Sequence, residues 1–288
     1  MNNVFTLRHQ LDLGGGGSLL LPETKAYIAA VKAEGGEILY EKQVNELLKT
    51  LKTNGILQKL DFLYLANYEG IGSRVNIISP SVMASIITGI SFSSKKGWQS
   101  PGVGQCLNLG YKRSTMTKLV APKGSIGVFF TETQSDKGRI FMGAMRSASS
   151  PRNSLLLYRA SPATRIVAEL YRDAENAIAG MAASSNGYFA FSHHEPSSGV
   201  YAHQLYMDTV RHAANNTSYT SIHDVNIYGC AANINGVVST PMTTTGRIGC
   251  FYAGDYIDGL GADPAVIGGE HAIFRSALAK YFTDIAEL

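Results

Sequence analysis

The spacing of apolar positions divides the chain into a helical beginning, a long middle of short apolar runs, and a helical end. Pro22-Glu23-Thr24 is a helix start, with proline in the first turn followed by an acid. Tyr27, Ile28 and Val31 then form one stripe before Gly35-Gly36 interrupts it. A second helix presents Leu39, Val44, Leu47, Leu48 and Leu51 at helical spacing and stops at Gly55, behind Lys49 and Lys52. Residues 56–65, ILQKLDFLYL, are apolar enough to be buried, but their type stays open.

From Tyr68 onward the pattern shortens. Apolar runs at 75–78, 90–92, 125–131, 139–145, 154–158, 187–192, 201–206 and 224–228 are separated by turn chemistry such as Ser135-Asp136-Lys137-Gly138, Ser184-Ser185-Asn186-Gly187 and residues 233–236. That cadence predicts an antiparallel sandwich or barrel. Several runs are apolar on both faces, Ile140 and Met142 against Phe141 and Met145, so they need cover on both sides. The terminal helices can supply one of the covers. Residues 162–181 satisfy two periods. Ile166, Val167, Leu170, Ala174, Ile178 and Met181 make a helical stripe, while Ile166, Ala168 and Leu170 alternate with Arg165 and Glu169 as in a strand. At the end, GRIGCFYAGDYIDGL (246–260) predicts a closing strand. A helix from Pro264 then carries Ile267, His271, Phe274, Leu278, Phe282 and Ile285 at steps of three and four. In that stripe His271 is expected to be a satisfied core or edge histidine rather than a ligand.

Composition narrows the classes. With 288 residues and 45% hydrophobic content the chain can bury a sizeable core, while only 16% is charged and 30 residues are glycine. A net charge of +3 with no basic run longer than Lys95-Lys96 argues against tracking a nucleic-acid backbone. Cys106, Cys230 and Cys250 are odd in number and widely spaced, which points away from a disulfide framework and toward a reducing compartment. No apolar run suits a membrane span and no secretory leader is apparent, so assembly in a cytoplasm is expected, and the sequons at Asn215 and Asn216 read as turn residues. Residues 1–21 look like an arm with a flexible joint at Gly14, Gly15, Gly16 and Gly17. The arm is either an anchor to another protein or copy, or a terminus without a role.

Several segments in order resemble a family of phage virion proteins, tail or fibre components with a concanavalin A-like, laminin-G-like sandwich. They are Leu51-Lys52-Thr53-Asn54-Gly55-Ile56-Leu57-Gln58-Lys59-Leu60, the pair Gly97-Trp98, the strand 187–193, the segment 225–236 with its Asn-Gly turn, and the closing strand and helix over 254–288. The resemblance implies a mainly β, jelly-roll-like sandwich (68–262) with an N-terminal helical pair in a cover segment (22–67) and a C-terminal helix (263–288). It also implies a strand pair over 162–181. Met207-Asp208-Thr209-Val210 stands where the family has an Asp-Gly turn, which leaves the local register open.

Candidate chemistry is sparse. Lectin-fold hydrolases carry Glu-x-Asp-x-x-Glu on one strand face, a motif this chain lacks; Asp173-Ala174-Glu175 and the Asp255/Asp258 pair read as solvated strand ends. No G-x-S-x-G occurs. His193 and His194 are neighbours, so a strand would point them to opposite faces, making them poor joint ligands. A calcium ion would need clustered loop oxygens, for which Asp208, Asn215, Asn216 and Asp224 are the candidates. Together with this sparseness, the resemblance implies a non-catalytic phage virion structural component of tail, fibre or capsid decoration type, self-associating as a homo-oligomer such as a trimer, and anchored in the virion through its arm, with no cofactor or metal. A glycan-binding host-attachment module and a divergent glycan depolymerase are the alternatives. Trp98, Tyr201, Tyr206 and Tyr219 are the aromatics available to a ligand or subunit interface.

Overall fold

In a computed structural model of the chain the described residues are 19–102, 104–134, 139–146, 154–159, 165–172, 178–181, 185–197, 200–216, 222–238, 246–259 and 267–288. The helices are α1 (Pro22–Ala33), α2 (Glu41–Thr53), the short α3 (Gly70–Arg74) and α4 (Gly269–Ala286). The strands begin with β1 (Leu60–Leu65), β2 (Ser85–Ile86), β3 (Ser91–Ser93), β4 (Gly97–Gln99), β5 (Leu107–Asn108) and β6 (Gly124–Gln134). They continue with β7 (Arg139–Met145), β8 (Ser154–Arg159), β9 (Arg165–Arg172), β10 (Ile178–Met181), β11 (Ser185–Ser197) and β12 (Val200–Met207). The last are β13 (Val210–Asn216), β14 (Tyr228–Gly229), β15 (Ala232–Ile234), β16 (Val237–Val238) and β17 (Ile248–Gly254).

Two sheets form. One has the order β13-β12-β11-β6-β17-β4-β3, with β1 also paired to β17; the other has the order β10-β9-β8-β7-β14-β5-β2. Pairing is antiparallel except for β15, which lies parallel to β7. Side chains of both sheets share one apolar cluster: Val128, Phe130, Phe189 and Phe191 from the first meet Phe141, Leu157 and Leu170 from the second. The chain is therefore a mainly β sandwich. The opposite face of the first sheet is apolar too. Leu63, Phe129, Tyr188, Cys250 and Tyr252 pack there against Val31, Leu48, Phe274 and Leu278 of the helices. Alternation does this directly, since successive residues of a strand face opposite sides. On β11, Tyr188 and Ala190 face the helices while Phe189 and Phe191 face the second sheet. The double-sided runs of the first sheet thus find one cover in the second sheet and the other in α1, α2 and α4, whereas on β7 of the second sheet Ile140 and Met145 pack with Ala232 rather than under a helix.

The helical period over 162–181 loses to the strand period. β9 and β10 pair antiparallel, and Ala168 and Leu170 enter the inter-sheet core. Tertiary burial of alternate residues outweighs local helix preference here. The open segment at 56–65 becomes a short 3-10 turn followed by β1, so residues 22–67 supply a sheet strand as well as helices. The 207–210 turn keeps its register: Met207 pairs with Val210, and Asp208 takes φ 52°, the left-handed conformation that a two-residue hairpin demands. Four expectations are corrected. Residues 75–78 make only an isolated bridge from Val75 to Met83. The run 224–228 contributes only its last residue to a strand. Leu39 precedes α2 and is 43% exposed. The final helix starts at Gly269, one turn later than proline placement suggested, with Ile267 buried just ahead of it.

Candidate functional site

Where β17 leaves the sheet, its last residue must pass the start of β1 closely. A Cβ at Gly254 would overlap the Lys59 carbonyl, so glycine permits the approach and Asp255 N–H donates to that carbonyl at 2.7 Å. The following segment, 255–259, is stitched to the start of α4. Asp258 N–H donates to Glu270 Oε2 (2.8 Å), His271 N–H to the Asp258 carbonyl (2.9 Å), and Gly268 N–H to the Gly259 carbonyl (2.9 Å). The result is a shallow depression of about 560 Å³ lined by Lys59, His194, Tyr256, Asp258, Glu270 and Ile273, with Gly269 at its edge.

The lining is polar around one aromatic ring. Lys59 Nζ sits 2.6 and 2.5 Å from the two Glu270 oxygens. Tyr256, half-buried, donates its hydroxyl to Asp258 Oδ1 at 3.2 Å, and its ring lies 4.2 Å from the His194 ring, tilted by 36°. Burial, then the nearby Asp258 carboxylate, raises the Tyr256 phenol above its ordinary range. Burial lowers the His194 imidazole below its ordinary value, with Asp258 opposing and Lys123 reinforcing. His194 Nδ1 is shielded from solvent and has no hydrogen-bond partner among the described residues.

Beneath the depression lies a second group, entirely buried. His271 Nδ1 is 2.6 Å from Tyr188 Oη, and its Nε2 is 2.7 Å from Ser192 Oγ. Tyr188 Oη also meets Tyr252 Oη at 2.5 Å, and Ser192 Oγ meets Ser125 Oγ at 2.6 Å. Ser192 donates to the Ile257 carbonyl (3.1 Å), while Ile257 N–H donates to Ser125 Oγ (2.8 Å). Tyr206 lies over the imidazole with ring centroids 4.0 Å apart. Tyr188, Ser192, His271 and Ser125 are all 0% exposed.

The expected site residues fall elsewhere. Trp98 is only 3% exposed, packed 4.6 Å from Phe92 in the core, and Tyr206 is fully buried, so neither ring offers a face to a ligand or a subunit. Tyr219, the Tyr201 side chain, the glycine joint at 14–17 and the Asp173/Glu175 pair lie outside the described residues. His193 and His194 do diverge: His193 is buried beside His203, while His194 reaches the depression. Of the loop oxygens considered for calcium, Asp208 is bonded by Arg275 Nε (2.7 Å) and Asp224 by Ser114 N–H (2.7 Å). Among the described residues no cluster of three His, Cys, Asp or Glu is close enough to hold a metal. Cys106, Cys230 and Cys250 are buried free thiols, and burial pushes Cys106 up to about 12. Asp258 was visible only as half of an acidic pair. Lys59, Tyr256 and Glu270 carry no local signal, since α4 begins only at Gly269 and Lys59 and Glu270 are 211 residues apart.

The fold and site thus define a two-sheet β sandwich with a helical layer on one face and a polar depression at the join of sheet and helix. No family model matches the chain, and no curated protein matches it. Among solved structures, a mutant of Trypanosoma rangeli sialidase displaying trans-sialidase activity is similar at 11% identity and TM-score 0.46, over 85% of this chain and 40% of that one. The botulinum neurotoxin serotype C1 binding domain is similar at 9% and 0.45, over 78% and 52%. Arcelin-5, a lectin-like defense protein from Phaseolus vulgaris, is similar at 9% and 0.36, over 67% and 96%. The chain spans about two fifths of the sialidase's length. Among the described residues no helix is long and apolar enough to cross a membrane.

Proposed function

We propose that the chain is a non-catalytic carbohydrate-binding module whose ligand lies in the depression around Tyr256. One observation carries this: a half-buried aromatic ring is flanked by two carboxylates, an ammonium and an imidazole in a concavity of saccharide size. An aromatic face takes the C–H surface of a sugar ring, and ionised groups make the stronger hydrogen bonds to its hydroxyls. Glycoside hydrolysis needs a carboxyl that carries a proton to the leaving oxygen. Here both carboxylates already accept hydrogen bonds from protein donors, Glu270 from Lys59 and the Asp258 amide, Asp258 from the Tyr256 hydroxyl.

The finer architecture we attach to this reading is the concanavalin A-like jelly roll, and the setting is host attachment by a self-associating phage virion component. Both rest on the order of the sequence motifs. Sedimentation of the purified chain tests the self-association, and a strict monomer counts against it.

A glycan array probed with the native chain and with Tyr256→Ala tests the binding. The expected result is saccharide binding that weakens at least about tenfold, or about 1.4 kcal/mol, in the variant at unchanged melting temperature. Absence of binding across the array overturns the reading, and so does release of product from a bound saccharide.

A further inference from the structure

The buried hydroxyl–imidazole cluster has no access to solvent and takes no part in binding as described, yet it ends on the backbone of the depression. Its proton directions follow from one donor. Ser192 gives its hydrogen to the Ile257 carbonyl, so Ser125 and His271 Nε2 must donate to Ser192 Oγ. His271 Nδ1 is then an acceptor, supplied by the Tyr188 hydroxyl, and Tyr252 donates to Tyr188. Every member is satisfied with a neutral Nε2–H imidazole. Buried polar groups cost stability unless fully bonded, and an apolar filling would hold α4 on the sheet equally well. The polar choice therefore has to be explained by where the cluster ends.

It ends on Ile257, beyond the last residue of β17 and without a strand partner for its backbone. Both backbone groups of Ile257 are held by serine side chains, one of which is bonded to His271. Ile257 itself is buried, and its neighbours Tyr256 and Asp258 line the depression. His271 directly follows Glu270, the carboxylate on the opposite wall. One cluster thus clamps both walls at once.

We propose that Ser125, Ser192 and His271 are positioning residues, which fix the ligand-bearing segment 255–259 against the start of α4 and so set the geometry in which a saccharide is held. This rests on the carbohydrate-binding reading, and it is tested by a measurement that needs no ligand alongside one that does. Ser192→Ala removes the link between Ile257 and His271. Amide hydrogen exchange should accelerate at 256–258 while the inter-sheet strands stay protected. The melting temperature should fall, because the Ile257 carbonyl, the Ser125 hydroxyl and the His271 Nε2–H lose their buried partner. Affinity for the saccharide selected on the array, measured well below that temperature, should fall about tenfold. Ser192→Thr, which keeps the hydroxyl, should restore all three. Should Ser192→Ala fail to fold, Ser125→Ala, which frees the Ile257 N–H, takes its place. Unchanged exchange at 256–258 overturns the proposal, as does faster exchange with intact affinity. If the native chain binds no saccharide, the reading of the depression falls, while the exchange data still decide whether the cluster holds the segment.

Discussion

The first sheet has two buried faces built from the same strands, and they differ in chemistry. Toward the second sheet, Phe130, Phe141 and Phe189 meet edge to face, with centroids 4.7, 5.7 and 6.4 Å apart. Nothing in that cluster asks for one arrangement over another of similar volume, and such cores tolerate apolar exchange. Toward the helices the alternate residues are Tyr188, Ser192, Tyr206 and Tyr252, joined through His271. A hydrogen-bonded cluster has one register only, and it leads to the segment that forms the depression. The inner face makes the sandwich; the outer face places a site on it.

The largest test of this contrast removes the outer cover. Termination after Gly261 deletes α4 and with it the stack of Phe282 on Phe129 (5.0 Å) and the packing of Phe274 on Tyr252 (4.7 Å). Tyr188 then loses its His271 partner, and with Tyr252 it faces water beside a wide apolar surface. The truncated chain should be insoluble and should lack a cooperative melting transition, checked by fractionation and calorimetry. A soluble, cooperatively folded product shows that the outer face does not need α4.

The next test acts on the inner face alone. Phe141→Ala should lower stability by about 3–5 kcal/mol in chemical denaturation, through lost burial and the cavity left between the sheets. Saccharide affinity should stay within about twofold, because no hydrogen bond of the outer cluster involves Phe141. A large loss of affinity in a folded Phe141→Ala protein shows that the two faces are not independent.

The two faces were also unequally legible in the sequence. Ile140 and Met142 against Phe141 and Met145 announced runs apolar on both sides, and the need for two covers followed from that alone. Helix α1 was fixed by Pro22 and its stripe at Tyr27, Ile28 and Val31. The site was mostly hidden. Trp98 is the chain's one tryptophan, but a three-residue strand from Gly97 to Gln99 does not reveal that Phe92 lies 4.6 Å from its ring. His271 could be read as a satisfied histidine because it sits in an apolar stripe. Its partners could not, since Tyr188 and Ser192 lie about eighty positions earlier, 83 and 79 residues away. Local period reports which face a residue takes and not which distant side chain waits there.

The smallest predicted effect is a pH dependence that belongs to the outer face. Burial, and then the positive Lys59, push the His271 imidazole down to about 3. In the unfolded chain the group titrates near its ordinary value of about 6.5. Between those values the unfolded state binds a proton that the folded state refuses, so stability falls as pH falls. The contribution is fully present above about pH 6.5 and is lost progressively toward about pH 3, with a slope of at most about 1.4 kcal/mol per pH unit from this group. The bonding pattern gives the refusal a second cause. A proton on Nδ1 would displace the Tyr188 hydroxyl hydrogen, and the Tyr188 oxygen already accepts from Tyr252. Denaturation at a series of pH values between 4 and 7 should therefore show Phe141→Ala parallel to the native chain, shifted as a whole. His271→Phe should be less steep by up to one proton, and the slope it keeps belongs to the remaining groups, His194 among them. Equal slopes in the native chain and His271→Phe would show that the imidazole does not stay neutral in the folded state, and the proton directions drawn through Ser192 to Ile257 would fall with it.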